Sequence, residues 1–326
     1  MADRVMIFDT TLRDGEQTAG VALNADDKME IAEQLAKCNV DVIEAGFAAS
    51  SPGDFEAVRQ IAHTIRGPKI ATLSRCVPGD VEAAIQAMEG ALNPRIHCFI
   101  SSSDIHLMHQ MAKDRESVLL QAVAAVKRAR EAVEDVEFSP MDATRSDRRY
   151  LYQLLEAVID AGATTINVPD TVGYTVPQEF EDLLAGIFEN VKNIHRAVLS
   201  VHCHNDLGLA TANSLAAVRA GARQIEVCVN GLGERAGNAS LEEVVMALTT
   251  RDDYMGVDVG VNTRELYRTS RLVSDLTGIV VQPNKAVVGL NAFRHASGIH
   301  QDAVIKLREN FEIMDPRRGP PERRSC

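Results

Sequence analysis

From residue 4 to residue 248 the chain alternates, eight times over, between a short apolar run and a segment of helical periodicity. The apolar runs fall at 4–9, 40–45, 69–74, 95–101, 136–140, 164–169, 198–204 and 224–229. The helical segments fall at 25–38, 52–65, 79–88, 117–133, 148–161, 177–191, 207–219 and 240–248. Met29, Ile31, Ala32 and Leu35 show the spacing of an amphipathic helix. Ser51 ahead of Pro52 supplies a cap and a pre-set first turn. The runs read as continuous and apolar, as strands of a parallel sheet covered on both faces must be. Eight strand-then-helix units in about 250 residues predict the α/β class, specifically a (β/α)8 TIM barrel. A doubly wound open sheet is the competing arrangement.

The barrel is expected over 1–255, followed by a partial linker subdomain over 256–314. Within that subdomain 264–276 reads as a helix with Thr263 as its cap, and 280–298 as a mixed stretch rich in Asn, Gly and His. The tail, 315–326, holds three prolines and four arginines and is expected to be disordered.

In such a barrel the chemistry sits at the carboxyl ends of the strands. The seventh run ends in His202-Cys203-His204-Asn205-Asp206. Alternate residues of a strand share a face, so the two imidazoles point the same way. They read as half of a metal site or, more plainly, as a pair of buried, hydrogen-bonded histidines. Asp14, after the first strand, supplies an oxygen ligand, and an N2O set with waters suits Mn²⁺, Mg²⁺, Zn²⁺ or Co²⁺. Its neighbour Arg13 is a fixed cation able to hold a carboxylate in a two-point fork; the plainer alternative is an exposed Arg13–Asp14 ion pair capping a loop. The barrel is otherwise expected to be apolar, with its polar residues gathered at one end.

The net charge of -12 argues against a general binder of nucleic acid or of a membrane surface. Six scattered cysteines with no CxxC pair read as reduced thiols of a cytoplasmic protein. No apolar run is long enough to cross a bilayer, and the N-terminus enters a strand directly instead of reading as a signal peptide.

FDTTLRDGEQ, PDTVGY, HCHNDLGLA and NGLGERAGNAS together resemble the α-isopropylmalate synthase family, which includes homocitrate and citramalate synthases. The family shares its barrel with hydroxymethylglutaryl-CoA lyase and pyruvate carboxylase domains. QPNKAVVGLNAF and HASGIHQDAVIK extend the likeness past the barrel and point to the condensing synthases. The resemblance implies an acyltransferase of leucine biosynthesis that condenses acetyl-CoA with 3-methyl-2-oxobutanoate, with Mn²⁺ as the first choice of metal. It implies Asp14, His202 and His204 as metal ligands, with Asn238 as a further ligand or a group just outside them. Arg13 would grip the 2-oxo acid and polarise its ketone, Ser139 and Thr171 would hydrogen-bond it, and His97 would line the same pocket. His300 and Asp302 would act catalytically from a segment that, in the family, covers a neighbouring subunit's barrel mouth, which implies a homodimer. Sister substrates (pyruvate or 2-oxoglutarate) and a catalytically impaired homologue are the alternatives.

The chain departs from the family pattern twice. Met141 stands where the family carries a glutamate, and Phe311 where it carries a tyrosine. The sequence also ends where the family continues toward a leucine-binding regulatory domain, so no response to leucine is expected.

Overall fold

The computed structural model describes residues 3–314. The tail expected to be disordered, 315–326, lies outside the described residues.

Among the described residues nine strands form one parallel sheet: β1 (Asp3–Asp9), β2 (Val42–Glu44), β3 (Lys69–Arg75), β4 (Pro94–Ser101), β5 (Asp135–Met141), β6 (Thr165–Asp170), β7 (Val198–Cys203), β8 (Gln224–Val227) and β9 (Val257–Val259). Their order is β2-β3-β4-β5-β6-β7-β8-β1-β9, and a further pairing of β1 with β2 closes the first eight into a barrel. The closing registers set Phe8 against Val42 and Met6 against Gln224. Helices Ala25–Lys37, Pro52–Thr64, Pro78–Met88, Arg115–Ala132, Arg148–Ala161, Pro177–Asn190, Ala210–Arg219 and Leu241–Thr250 cover the outside. The (β/α)8 barrel read from the alternation is therefore the fold.

Local chemistry sets the element ends. The Asn24 side chain accepts from Asp26 N and Asp27 N while Asp27 reaches back to Asn24 N, a capping box that starts the first helix. Ser51 caps the second helix, with Pro52 in its first turn. Most boundaries fall within two residues of expectation, and the largest difference is that the helix after β7 starts at Ala210, three residues late. Gly208 adopts φ +73° there, and Asn205 accepts from Ala210 N, so the intervening residues form a turn that leads out of the strand.

The barrel interior departs from the apolar filling expected of it. Arg95 donates to Glu137 at 2.8 Å and to Gln224 at 2.7 Å. Gln224 donates in turn to Glu137 at 2.8 Å and to Ser200 at 2.9 Å. Four strands thus contribute one interlocked polar layer in which each side chain has a partner, although Arg95 Nε is buried without one among the described residues. The apolar positions of the same strands face the helices.

After the barrel, β9 pairs with the start of β1, Asp3 opposite Val257. The following helix is Leu266–Thr277, preceded by a 3-10 turn, Thr263–Glu265, in which Asn262 and not Thr263 is the capping side chain. Within the stretch read as mixed, Lys285 ties the chain back to the barrel through Glu243 and Ser240. A short helix, Gly298–Lys306, follows. Cys38, Cys76, Cys98, Cys203 and Cys228 are free, buried thiols, as their scatter suggested. Among the described residues no helix is long and apolar enough to cross a membrane.

Candidate active site and metal centre

His202 and the β-bridge residue His204 extend β7 toward the barrel mouth, and their period of two brings both rings to one side. Their Nε2 atoms lie 3.1 Å apart. Two nitrogens bound to one cation at about 2.1 Å and roughly a right angle stand about that far apart. Asp14 completes a group whose candidate ligand atoms all lie within 4.8 Å of one another, and all three residues are buried. Asp14 Oδ2 is 3.9 Å from His202 Nε2.

The electrostatics suit a cation. Burial pushes the Asp14 carboxyl up, but Arg13, His202 and His204 outweigh it and hold the group well below its usual range. Burial, then His202, lowers His204 to about 3, so its ring is neutral with a lone pair to offer. Asn238 donates to Asp14 Oδ1 at 2.7 Å, while its own Oδ1 is buried with no partner among the described residues. The loop carrying Asn238 is wound tightly enough to need glycine. A Cβ on Gly237 would sit 1.9 Å from Gly231 O, and one on Gly233 would sit 2.7 Å from Asp14 Oδ1.

Arg13 is more heavily engaged than its expected role as a two-point fork allows. Its Nε donates to Glu44 at 2.6 Å, its NH1 donates to Asp14, and its NH2 lies 3.7 Å from Glu226. With Nε and NH1 each holding a carboxylate, the Nε edge of the guanidinium is closed to a ligand, and NH2 is the nitrogen left to meet one. The plainer alternative also fails: the side chain is only 11% exposed, so this is no surface ion pair.

His97, on β4, is almost wholly buried between Glu44, 2.7 Å from Nδ1, and Ser139, 2.6 Å from Nε2. Burial opposes its charge, but Glu44 and then Glu137 and Glu226 prevail and raise it to about 9. It is therefore an imidazolium that donates from both nitrogens. Ser139 also receives Asn167 Nδ2 at 2.8 Å. Thr171, half-buried after β6, accepts from Asp142 N at 2.9 Å. A second acidic cluster, His97, Glu137 and Glu226, has the spacing of a metal site. Both His97 nitrogens are taken by Glu44 and Ser139, and both Glu137 oxygens accept hydrogen bonds, so Glu226 Oε1 is the one carboxylate oxygen of the cluster without a partner among the described residues.

Met141 shares the inward parity of Glu137 and Ser139 on β5 and is half-buried. Its neighbour Asp142 turns away: at φ +67° it gives its carboxylate to Arg145. His300 and Asp302 are not joined to this group by any hydrogen bond, ion pair or ring contact among the described residues. Both lie on Gly298–Lys306, where Asp302 pairs with Lys306 and the His300 ring stacks on Phe311 at 3.9 Å.

Glu44, Glu226 and Asn167 take part in the site without having been assigned a role from the sequence. A signal for Glu226 was present: polar residues recur at every second position in Arg95/His97, Glu137/Ser139, Ser200/His202 and Gln224/Glu226. That parity marks one face of each strand.

A (β/α)8 barrel carries its sites at the carboxyl-end mouth of the strands, where this chain gathers a buried histidine–carboxylate group that could hold a metal ion. The chain belongs to the HMGL-like family, which matches residues 4–273; residues 287–323 match the homocitrate synthase post-HMGL domain-like family. It is 60% identical over 318 residues to a 2-isopropylmalate synthase of Pyrococcus furiosus, covering 98% of this chain and 64% of that protein. The 2-isopropylmalate synthase of Carboxydothermus hydrogenoformans is 59% identical over 323 residues, covering 99% of this chain and 64% of its own. The chain thus spans less than two thirds of the length of these curated relatives. Among solved structures, the Bacillus subtilis HMG-CoA lyase superposes with a TM-score of 0.74 at 21% identity, over 88% of this chain and 97% of the other. The carboxyl transferase domain of Rhizobium etli pyruvate carboxylase gives 0.66 at 20%, over 87% and 49%. These two likenesses bear on the fold.

Proposed function

We propose that the chain catalyses the condensation of acetyl-CoA with 3-methyl-2-oxobutanoate to 2-isopropylmalate and CoA, the first committed step of leucine biosynthesis. The observation that carries this reading is the Asp14–His202–His204 group beside Arg13, in a chain about 60% identical to 2-isopropylmalate synthases.

Asp14, His202 and His204 would hold a divalent cation, Mn²⁺ first, with Asn238 orienting Asp14. A cation bound there would act as a Lewis acid on the ketone of the 2-oxo acid. Arg13 NH2 and the Ser139 and Thr171 hydroxyls would orient the acid, and the fixed charges of Arg13 and His97 would favour the oxyanion that develops at its ketone. A base removes a proton from the acetyl methyl, the enolate carbon bonds to the ketone carbon, and water then cleaves the thioester to release CoA. His300, assisted by Asp302, is our candidate for that base, presented by the second copy of a homodimer. Ile299 and Ile305 on the same helix, with Val280 and Ile313 elsewhere on the segment after the barrel, are exposed apolar side chains that support a partner surface. We place the enzyme in the cytoplasm, in keeping with the five buried free thiols among the described residues.

A sister reaction on 2-oxoglutarate is favoured by one observation, the homocitrate synthase-type match over 287–323. A thiol-reagent assay of CoA release across 3-methyl-2-oxobutanoate, pyruvate and 2-oxoglutarate tests the proposal. Preference for the branched acid supports it, preference for another acid transfers the function to a sister synthase, and no release with any of them defeats it.

A further inference from the structure

Glu226, on β8, is 1% exposed and is not among the candidate metal ligands Asp14, His202 and His204. Its Oε2 lies 2.7 Å from His202 Nδ1 and 3.7 Å from Arg13 NH2. Arg13 NH1 donates to Asp14 Oδ2, and that same oxygen faces His202 Nε2 at 3.9 Å. Four side chains from three strand ends therefore close a ring: Glu226, His202, Asp14, Arg13 and back to Glu226. We infer that Glu226 is a positioning residue, which holds His202 with its ring proton on Nδ1 and ties the plane of Arg13 to the metal ligands through the same oxygen.

The physical basis is the asymmetry of the imidazole. A neutral ring has one N–H and one lone pair, and an ionised carboxylate can only accept. With Glu226 on Nδ1, the proton belongs on Nδ1 and the lone pair on Nε2, the nitrogen that faces Asp14 and His204. In the other tautomer a proton would stand where a cation must bind. A carboxylate behind a ligating histidine also makes it more basic, and losing such a partner typically costs about 10–100-fold in metal affinity. Because Arg13 leans on the same carboxylate, the cation site and the arginine cannot shift independently. His204 has no counterpart: its Nδ1 is buried without a partner among the described residues, so the alignment of the imidazole pair rests on His202.

The inference rests on the metal-centre reading, and direct binding separates the two. Long-range ¹H–¹⁵N correlation spectra of the metal-free wild-type chain should show His202 as the Nδ1–H tautomer. Calorimetry with Mn²⁺ should then give an affinity about 10–100-fold lower for Glu226→Leu, with His202 moving toward Nε2–H. Glu226→Gln, which retains an acceptor without the charge, should retain the Nδ1–H tautomer and lose less affinity. Wild type that binds Mn²⁺ while both variants bind equally well overturns this inference alone, as does Nε2–H in the wild type. Wild type that binds no divalent cation overturns this inference and the metal centre together. If the leucine variant does not fold, the wild-type tautomer and the glutamine variant decide the matter.

Discussion

Glu44 accepts a hydrogen bond from His97 Nδ1 at 2.7 Å inside the barrel, and both side chains are almost wholly buried. The same carboxylate accepts from Arg13 Nε through its other oxygen. Burial raises its pKa, but Arg13 and His97 outweigh burial and hold it down at about 2. One anion therefore sits between two cations, and each keeps the others charged.

This pairing makes a pH prediction. The pKa of His97 is raised in the fold to about 9, above the ordinary 6.5. Its contribution to stability is then fully present below about pH 6.5 and is lost as pH rises through about 9, with a size at neutral pH on the order of 2–3 kcal/mol. Glu44→Gln removes the opposing carboxylate, so burial should dominate and drop His97 to 6.5 or below. An NMR titration of the His97 ring measures this, and a value still near 9 in the variant would refute it.

Removal of a direct ligand should be more severe than any change behind the ligands. Asp14→Ala and His202→Ala should each cost more than the 10–100-fold loss typical of a supporting partner. Calorimetry with Mn²⁺ or Zn²⁺ provides the check; unchanged affinity in both variants would sink the assignment.

Met141 faces inward from the end of β5, and Asp142 beside it is spent on Arg145 and cannot stand in for a glutamate. A thioether is neutral and a weak acceptor, unable to relay a proton. A single acid–base group is worth about 10²–10⁴-fold, so Met141→Glu should raise kcat by at least tenfold, with a smaller added gain from Phe311→Tyr. Cation and 2-oxo acid binding should change little. Rapid turnover by the unaltered chain, slowed by Met141→Glu, would show that the glutamate is not needed in this site.

The exposed apolar side chains of the segment that carries His300 predict self-association. Ile305 is 85% exposed and Val280 82%. Light scattering at micromolar concentration should report a dimer, and Ile305→Asp should shift it toward monomer. A wild-type monomer would leave His300 without a second barrel to serve.

The barrel was legible in the sequence because strand and helix periods differ and their alternation survives in one dimension. The His202/His204 pair was legible for the same reason, since two residues two apart on a strand must share a face. Asp14 was placed with them only by its position at the end of the first strand. Glu226 and Glu44 carried a weaker signal, their polar character within apolar strands, and nothing local says whether such a side chain faces the interior or the helices. Strands β2 and β8 become near neighbours across β1 only when the barrel closes, although 182 positions separate Glu44 from Glu226. That closure surrounds Arg13 with three carboxylates, in place of the open fork read from the sequence. Periodicity is a property of the local chain, so the sequence determined the elements and the face each side chain shares. Which charges meet in the interior depends on strand order, register and the exclusion of water, and only the closed tertiary structure decides those.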